Sequence, residues 1–291
     1  MRIALDISVL NNNQRSGIAV YTYNLIDALL KNNNNDHFVL FGIATFETFD
    51  YLKNLSLKNY PNVEMKIFKM PARFFRTSFL LWQKLNWPTI EKFIGVVDIL
   101  HSFNWYMPPQ INGKKVGTIF DLTSLTHPEW HQAKTTQLDK VRFARLANAD
   151  LVITISESSR KDYSKLYPNA RLEIVYPAVS SIFNGKIDKN LTRKILQKYI
   201  IKKDFFLSVA TIEPRKNLSG LIKAYLKSKL QNQLILVGGA GWKNSEIKKF
   251  VQNQDRIKFA GFIPEEDLHV LYQQALCLIY PSLYEGFGLP I

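Results

Sequence analysis

The stretch FFLSVATIEPRKNLSGLIKAY, residues 205–225, decides the fold class. It opens with a continuous apolar run at 205–210, passes through a polar loop, and ends in a pattern that predicts a helix near 217–229. A continuous apolar run is typical of a parallel strand that is buried on both faces. Because parallel strands need a crossover between them, this order of elements predicts a β–α–β unit.

The same alternation fills the rest of the chain. After residue 225, apolar runs predict strands at 234–239, 257–262 and 277–282, with helices near 244–253 and 264–275. Before residue 205, the pattern predicts a helix at 17–30 and strands at 3–9, 37–43, 96–103, 115–122, 149–156 and 172–179. The polar stretch 184–199 has the composition of a junction. We therefore predict an α/β protein of two successive doubly wound units, 1–180 and 181–291.

Composition narrows the class of ligand. The 291 residues carry a net charge of +14, which fits nucleic acid, anionic lipid or a phosphorylated small molecule. The basic residues are scattered, and no zinc-finger spacing or RNA-binding aromatic signature occurs, so no nucleic-acid partner is expected. No apolar run approaches the ~18 residues of a membrane-spanning helix. The start, MRIALDISVL, reads as a strand and not as a signal peptide, so a cytoplasmic location is expected.

Candidate ligand-binding residues follow the predicted strands, because ligands bind at the carboxyl ends of such sheets. Gly17 begins the first helix, where unpaired N–H groups suit a phosphate, although a plain helix cap is an equal alternative. Arg215 and Lys216 stand between a strand and a helix, where they could hold a diphosphate. The alternative for this pair is a solvated basic turn.

Three other features bear on whether the chain binds a dinucleotide, zinc or a membrane. The glycines of LVGGAGW (236–242) lack the acidic residue that a dinucleotide site needs, which argues against a nicotinamide oxidoreductase. His127 and His131 have a spacing that could hold zinc, but Pro128 lies between them and no third ligand is near. The basic, aromatic stretch 72–87 is interpreted as a core helix with a basic outer face, with contact to an anionic membrane as the alternative.

Seven motifs in this order and spacing resemble family 4 glycosyltransferases, most closely the bacterial mannosyltransferase type. They are RSGIAVYT, FDLTSLTHPEWH, ADLVITISESSRKDYSKLY, ATIEPRKNLSGLIKAY, LVGGAGW, FAGFIPEEDLHVLYQQA and YPSLYEGFGLPI, and they cover nearly the whole chain. The resemblance implies a GT-B fold, in which two Rossmann-like domains face each other across a cleft. It places the acceptor on the side of residues 1–180 and the nucleotide sugar on the side of residues 181–291. It also implies transfer with retention of configuration and without a metal.

The resemblance assigns roles to the donor-binding residues. The backbone of Gly17 is expected to approach the donor diphosphate. Arg215 and Lys216 are expected to neutralise that diphosphate as it leaves, which is electrostatic stabilisation of developing charge. Phe262 and Ile263 are expected to bracket the base of the nucleotide.

The resemblance also assigns the sugar site. Glu285 is expected to hold hydroxyls of the transferred sugar as a catalytic residue, and Gly286, Phe287 and Gly288 are expected to line the sugar's face. Glycine suits this role because backbone can approach a ligand closely only without a Cβ. Asp121 is the second predicted catalytic residue, and capping of the following turn is its equal alternative.

The sequence departs from the family pattern at two places. Relatives of this type usually read His-Asp where this chain has Phe120 and Asp121, so a polar group is missing from the reaction centre. The family motif also places a second, ribose-binding glutamate eight residues after Glu285, and the sequence ends at Ile291, before that position. We therefore expect the second domain to be incomplete.

The expected function is a retaining glycosyltransferase of cell-surface polysaccharide synthesis. It would move a hexosyl unit, with mannosyl expected, from a GDP- or UDP-linked sugar to a saccharide or lipid-linked acceptor. No further cofactor is expected. The expected location is the cytoplasm, including the inner face of the cell membrane. The alternative is a truncated or degenerate relative without activity, at most a module that binds a nucleotide sugar or a membrane surface.

Overall fold

The computed structural model describes residues 1–11, 16–71, 81–82, 84–103, 107–239, 241 and 254–291. The chain forms two compact units, Met1–Pro177 and Ala178–Ile291. The sequence pattern predicts this boundary after residue 180, three residues further along the chain. Each unit is built on a parallel β-sheet, so the predicted α/β class is confirmed.

In the described part of the first unit, the sheet has seven parallel strands. In chain order they are β1 Arg2–Asp6, β2 His37–Ala44, β3 Val63–Lys69, β4 Ile99–Phe103, β5 Lys114–Ile119, β6 Leu151–Thr154 and β7 Leu172–Ile174. Their order across the sheet is β3-β2-β1-β4-β5-β6-β7. The crossovers reverse direction between β1 and β4, and this is the point at which doubly wound sheets bind ligands.

Helices cover both faces of this sheet. Those whose full length the structure describes are α1 Gly17–Asn32, α2 Phe49–Lys53, α3 Glu91–Ile94, α4 Thr123–Thr126, α5 Ala133–Leu146 and α6 Glu157–Leu166. Alternate residues of a strand point to opposite faces, so Leu5 packs with Ile26 of α1, whereas Ala4 packs in the cluster that contains Phe143 of α5. The strands are therefore apolar on both faces, which is why they read as continuous apolar runs.

Among the residues that the structure describes, the second unit has a four-stranded parallel sheet in the order β10-β9-β8-β11. Its strands are β8 Phe206–Val209, β9 Leu234–Val237, β10 Ile257–Gly261 and β11 Cys277–Leu278. Its described helices are α7 Lys189–Lys198, α8 Leu218–Ser228 and α9 Glu265–Gln274. The helix predicted near 244–253 lies outside the described residues.

Two elements differ from the sequence prediction. The stretch interpreted as a junction contains α7, which Asp188 caps by accepting bonds from the Asn190 and Leu191 N–H groups. Most residues of this helix are polar or charged, so its short apolar stripe is hard to recognise in the sequence. Ile195 and Leu196 of this stripe are buried. Strand β3 was not predicted, because it lies at the sheet edge and is only half buried, so polar and apolar residues alternate.

The end of β1 is organised by a buried carboxylate. Asp6 Oδ1 accepts a hydrogen bond from the Ser8 N–H at 2.8 Å, and Oδ2 accepts one from the Ser102 hydroxyl at 3.4 Å. These bonds turn the chain into the 3₁₀ helix Ser8–Leu10, so the strand is shorter than the predicted 3–9. Burial raises the pKa of Asp6 to about 6, although the bonds from Ser8 act in the opposite direction.

We predict that Asp6→Asn changes how stability depends on pH. The folded-state pKa is above the unfolded value, so Asp6 makes the free energy of unfolding fall as the pH rises from about 4 to about 6. The amide does not titrate, so the variant should gain on the order of 2–3 kcal/mol relative to wild type between pH 4 and pH 7. Urea unfolding of both proteins across this range measures the difference.

A matched control is Asp150→Asn. Lys114 lowers the pKa of Asp150, so this carboxylate stabilises the fold more as the pH rises, and its replacement should give the opposite slope. A stability difference for Asp6→Asn that stays constant with pH would contradict the prediction.

Candidate functional site

The candidate site of the second unit lies at the carboxyl edge of its sheet. Strands β8 and β11 are parallel neighbours, so the loops that follow them meet at one edge. Backbone bonds join these loops: the Leu283 N–H donates to the Arg215 carbonyl at 2.9 Å. The Asn217 side-chain amide also donates to the Pro281 carbonyl at 3.3 Å. The fold thus brings together two predicted sets of residues that are about seventy positions apart in sequence.

A cluster of charged side chains fills this junction. Glu285 Oε2 accepts from Arg215 Nη1 at 3.0 Å, and Oε1 accepts from Lys216 Nζ at 2.6 Å. Arg215 also donates to Glu213 Oε1 through Nη2 at 2.8 Å, and Lys216 donates to the Tyr280 hydroxyl at 3.1 Å. We call these five residues the Arg215–Lys216 cluster. The cluster does not show that a substrate binds. It does bring Arg215 and Lys216, the residues predicted to bind the diphosphate, into contact with Glu285, the residue predicted to bind the sugar.

The cluster is largely removed from water. The side chains of Arg215, Lys216 and Glu285 are 13%, 11% and 20% exposed. Burial and the neighbouring Arg215 lower the pKa of Lys216, against the effect of Glu285. Burial favours a higher pKa for Glu285, but Lys216, Ser282 and Arg215 outweigh it and hold that pKa below its usual value. The two cations therefore stay oriented because the carboxylate between them stays ionised.

Glycines shape the loops around the cluster. Gly288 has φ +89°, a backbone conformation that would be strained in a residue with a side chain. Phe287 is exposed, and Gly286 is buried. A Cβ on Gly238 would lie 2.1 Å from the Ala210 carbonyl oxygen, and one on Gly241 would lie 2.3 Å from that of Ile212. The loop 238–241 therefore packs closely against the backbone that follows β8. This contact accounts for Gly238 and Gly241, and no dinucleotide is needed to explain them.

The two residues predicted to bracket the base have different surroundings. Phe262 is 36% exposed after β10, whereas Ile263 is 3% exposed and lies in the apolar core with Leu271. The Ile263 side chain is thus committed to packing. A contact between Ile263 and a base is limited to its backbone.

In the first unit, Asp121 and Gly17 both follow sheet strands. Asp121 Oδ1 accepts from the Thr123 N–H at 3.0 Å and from the Thr123 hydroxyl at 2.6 Å, so the capping role is present. Gly17 begins α1 after the cap residue Ser16, and a Cβ there would meet nothing within 4 Å, so space is open beside it. Its approach to a diphosphate stays a prediction.

Phe120 occupies the position next to Asp121 as part of the core. Its ring packs edge to face on Tyr21 with centroids 5.1 Å apart, and the side chain is buried. No polar group at position 120 is therefore available to a substrate.

The histidines have separate roles. His127 stacks on Trp130 with centroids 4.1 Å apart, whereas His131 Nε2 lies 3.1 Å from the Thr123 hydroxyl. His101 is buried beside Thr118, and burial lowers its pKa to about 3. Within the described ranges, no three His, Cys, Asp or Glu side chains form a group that could hold a metal ion. The sequence pattern does not indicate the contact between His131 and Thr123, because the spacing of His127 and His131 points only to a zinc pair.

We predict that Glu285→Ala destabilises the second unit. The change leaves Arg215 and Lys216 without the carboxylate that both share, and removal of one partner from a buried ion pair costs several kcal/mol. For these partly buried groups we expect a loss of about 2–3 kcal/mol in the free energy of unfolding, measured with urea.

The control is Glu157→Ala, which removes one partner of the exposed 3.5 Å pair with Arg160 and should leave the unfolding midpoint unchanged. In a double-mutant cycle, Lys216→Met should recover part of the loss caused by Glu285→Ala. Equal stability of wild type and Glu285→Ala would contradict the cluster as a source of stability.

Comparison with proteins of known sequence gives a relative in Escherichia coli. The chain is 34% identical over 204 residues to the O-antigen chain mannosyltransferase B of that organism. The matched part is 66% of this chain and 53% of the relative, so the chain spans about half the length of that protein. In the described parts of the chain, no helix has the length and apolarity needed to cross a membrane.

Solved structures match over the whole chain. Sucrose-phosphate synthase from Thermosynechococcus elongatus superposes with a TM-score of 0.71 at 21% identity, covering 100% of this chain and 77% of that protein. The Anabaena protein HepE, solved in complex with UDP, gives 0.61 at 19% identity and covers 97% and 74%. The chain therefore has the α/β fold of GT-B glycosyltransferases, with Rossmann-like parallel sheets. Its residues 192–291 match the family Glycosyl transferases group 1.

Proposed function

We propose that the protein is a retaining glycosyltransferase that moves a hexosyl unit, specifically mannosyl, from a GDP- or UDP-linked donor. The acceptor would be a saccharide or a lipid-linked saccharide in cell-surface polysaccharide synthesis. The observation that carries the proposal is the Arg215–Lys216 cluster at the carboxyl edge of β8 and β11, within the segment that matches the glycosyltransferase family. The mannosyltransferase relative supports the choice of sugar, and the UDP complex of HepE supports a nucleotide donor.

The proposed step exchanges one bond for another at the anomeric carbon. The bond from this carbon to the diphosphate oxygen breaks, and its electron pair leaves with the nucleoside diphosphate. The oxygen of an acceptor hydroxyl bonds to the same carbon on the same face. The hydroxyl proton is taken up by the leaving phosphate, so atoms and charge balance without a metal or a redox cofactor.

In this proposal the Arg215–Lys216 cluster stabilises the leaving group. Negative charge grows on the diphosphate as the bond breaks, and fixed cations in a water-poor site stabilise such charge strongly. Glu285 holds both cations in place before the donor binds, so little reorganisation is needed. A diphosphate would compete with Glu285 for their N–H groups. Glu285 would then be available to accept hydrogen bonds from the sugar hydroxyls, with Phe287 and Gly288 beside them.

The base of the donor is assigned to the surface after β10. The half-exposed Phe262 ring can stack on a base, and the positive φ of Gly261, +71°, turns the chain just before it. Ile263 would contribute only backbone groups. This surface and the cluster lie on the same edge of the sheet, with the loop after β9 between them.

We predict that Arg215→Ala with Lys216→Ala abolishes binding of GDP and UDP. Loss of charge-assisted contacts to a desolvated anion costs on the order of 2–5 kcal/mol, which corresponds to a 30-fold or larger rise in Kd. Isothermal titration with each nucleotide measures the change, and transfer from GDP-mannose and UDP-glucose to an octyl α-mannoside measures activity.

The control is Lys202→Ala with Lys203→Ala. This pair is also adjacent and basic, but it is exposed and precedes β8, at the opposite edge of the sheet. Nucleotide affinity should be unchanged in the control. Equal affinity in both double variants would refute the diphosphate site, whereas binding without transfer by wild type would support the alternative of a binding module.

We also propose peripheral contact with an anionic membrane at the inner face of the cell membrane. The part of the stretch 72–87 that the structure describes, 81–82 and 84–87, supports this, while 72–80 and 83 lie outside the described residues. Leu85 and Trp87 are 60% and 63% exposed, and Lys92 Nζ lies 4.8 Å from the centre of the Trp87 ring. Exposed apolar side chains beside cations are typical of surfaces that bind anionic lipid.

We predict that the protein sediments with vesicles of phosphatidylglycerol and phosphatidylethanolamine, and is released as the salt concentration rises. Leu85→Ser with Trp87→Ser should reduce the bound fraction several-fold. Phe46→Ser, which replaces an exposed aromatic residue elsewhere in the unit, should not. Binding that is the same in all three proteins would rule out this surface.

A further inference from the structure

Three side chains of the first unit form a continuous hydrogen-bonded chain. His131 Nε2 lies 3.1 Å from Thr123 Oγ1, and Thr123 Oγ1 lies 2.6 Å from Asp121 Oδ1. Asp121 lies two residues after the end of β5, at the carboxyl edge of the sheet, and His131 follows the 3₁₀ helix Pro128–Trp130. The chain therefore connects a loop residue to a carboxylate at the ligand-binding edge of the sheet.

The direction of each bond follows from the chemistry of the groups. An ionised carboxylate only accepts hydrogen bonds, so the single hydroxyl proton of Thr123 points to Asp121. The Thr123 oxygen must then accept from His131, which fixes the proton of the imidazole on Nε2. Thr123 is buried, so water cannot replace this donor at low cost.

The contacts hold the Asp121 carboxylate in one orientation. Thr123 binds Oδ1 through both its N–H and its hydroxyl, and it leaves Oδ2 to other contacts. Without the bond from His131, the Thr123 hydroxyl could rotate away from Asp121, because that bond holds one of the lone pairs of its oxygen. The neighbouring Phe120 contributes no polar group, since its ring is buried against Tyr21.

We propose that His131 is a positioning residue for Asp121, acting through Thr123. Its role is to keep the Asp121 carboxylate aimed at a hydroxyl of the substrate in the transferase reaction. This inference rests on the proposed function. It assigns to His131 and Thr123 a role in the rate of transfer and none in donor binding, because the Arg215–Lys216 cluster, which holds the diphosphate in that proposal, belongs to the second unit.

Four variants test the proposal in the full chain, with GDP-mannose or UDP-glucose as donor and octyl α-mannoside as acceptor. His131→Leu and Thr123→Val remove one donor each and should lower kcat about 10- to 100-fold, with the donor KM within two-fold. His131→Gln offers an amide N–H to Thr123 and should recover most of the lost kcat, as Thr123→Ser should. A residue that only fastened the loop would not show this pattern of rescue.

A double variant tests whether His131 acts through Asp121. In an Asp121→Asn background, His131→Leu should have little further effect on kcat, because the group that it positions is already changed. The matched control is His127→Leu, which changes the other histidine of this loop, one that stacks on Trp130. Nitrogen-15 NMR of the imidazole should show the proton of His131 on Nε2 in wild type and a shifted signal in Thr123→Val.

The outcomes separate the two proposals. A wild-type protein that transfers no sugar from either donor overturns the proposed function, and with it this role for His131. An active wild type whose rate falls equally in His127→Leu and His131→Leu, or is not recovered by His131→Gln, overturns the role of His131 alone. A rate loss confined to His131→Leu and Thr123→Val, with rescue, supports it.

Discussion

The candidate site depends on one carboxylate held between two cations. Glu285 shares its oxygens between Arg215 and Lys216, and each partner is largely buried. Two adjacent cations in a water-poor site repel each other, and the carboxylate between them offsets this repulsion. Glu213 adds a second carboxylate beside Arg215. The arrangement fixes the loop after β11 against the loop after β8. It also keeps two cationic side chains at a single edge of the sheet.

Parallel strands are what make this arrangement possible. In both units every strand of the sheet runs in the same direction, so the loops that follow the strands gather at one edge. In the second unit these loops carry Arg215, Phe262 and Glu285, and in the first unit they carry Gly17 and Asp121. The residues with chemistry thus come from distant parts of the sequence, whereas the strands between them carry apolar side chains.

The sequence predicted most of the sheet because buried parallel strands are apolar on both faces. The same rule could not find β3, which is half buried at an edge, or α7, whose polar face hides two buried residues. The residues of the site could be predicted one loop at a time. The pairing of these residues could not be predicted, because the contact between Arg215 and Glu285 requires β11 to lie next to β8. Neither the motif around Arg215 nor the one around Glu285 indicates the order of the strands. The His131 bond to Thr123 likewise depends on the path of the loop between them.

Gly238 places a limit on how this protein can be redesigned. Any side chain at this position would meet the backbone of Ala210, immediately before the loop that carries Arg215. In the proposed function Phe262 contacts the base of the donor, so a library aimed at a new donor preference should keep Gly238 and vary Phe262, which is 36% exposed. Phe262 can thus be replaced without moving the backbone. Replacement of Gly238 would first require a new backbone path for the loop after β8, so selection for a new donor cannot change this position alone.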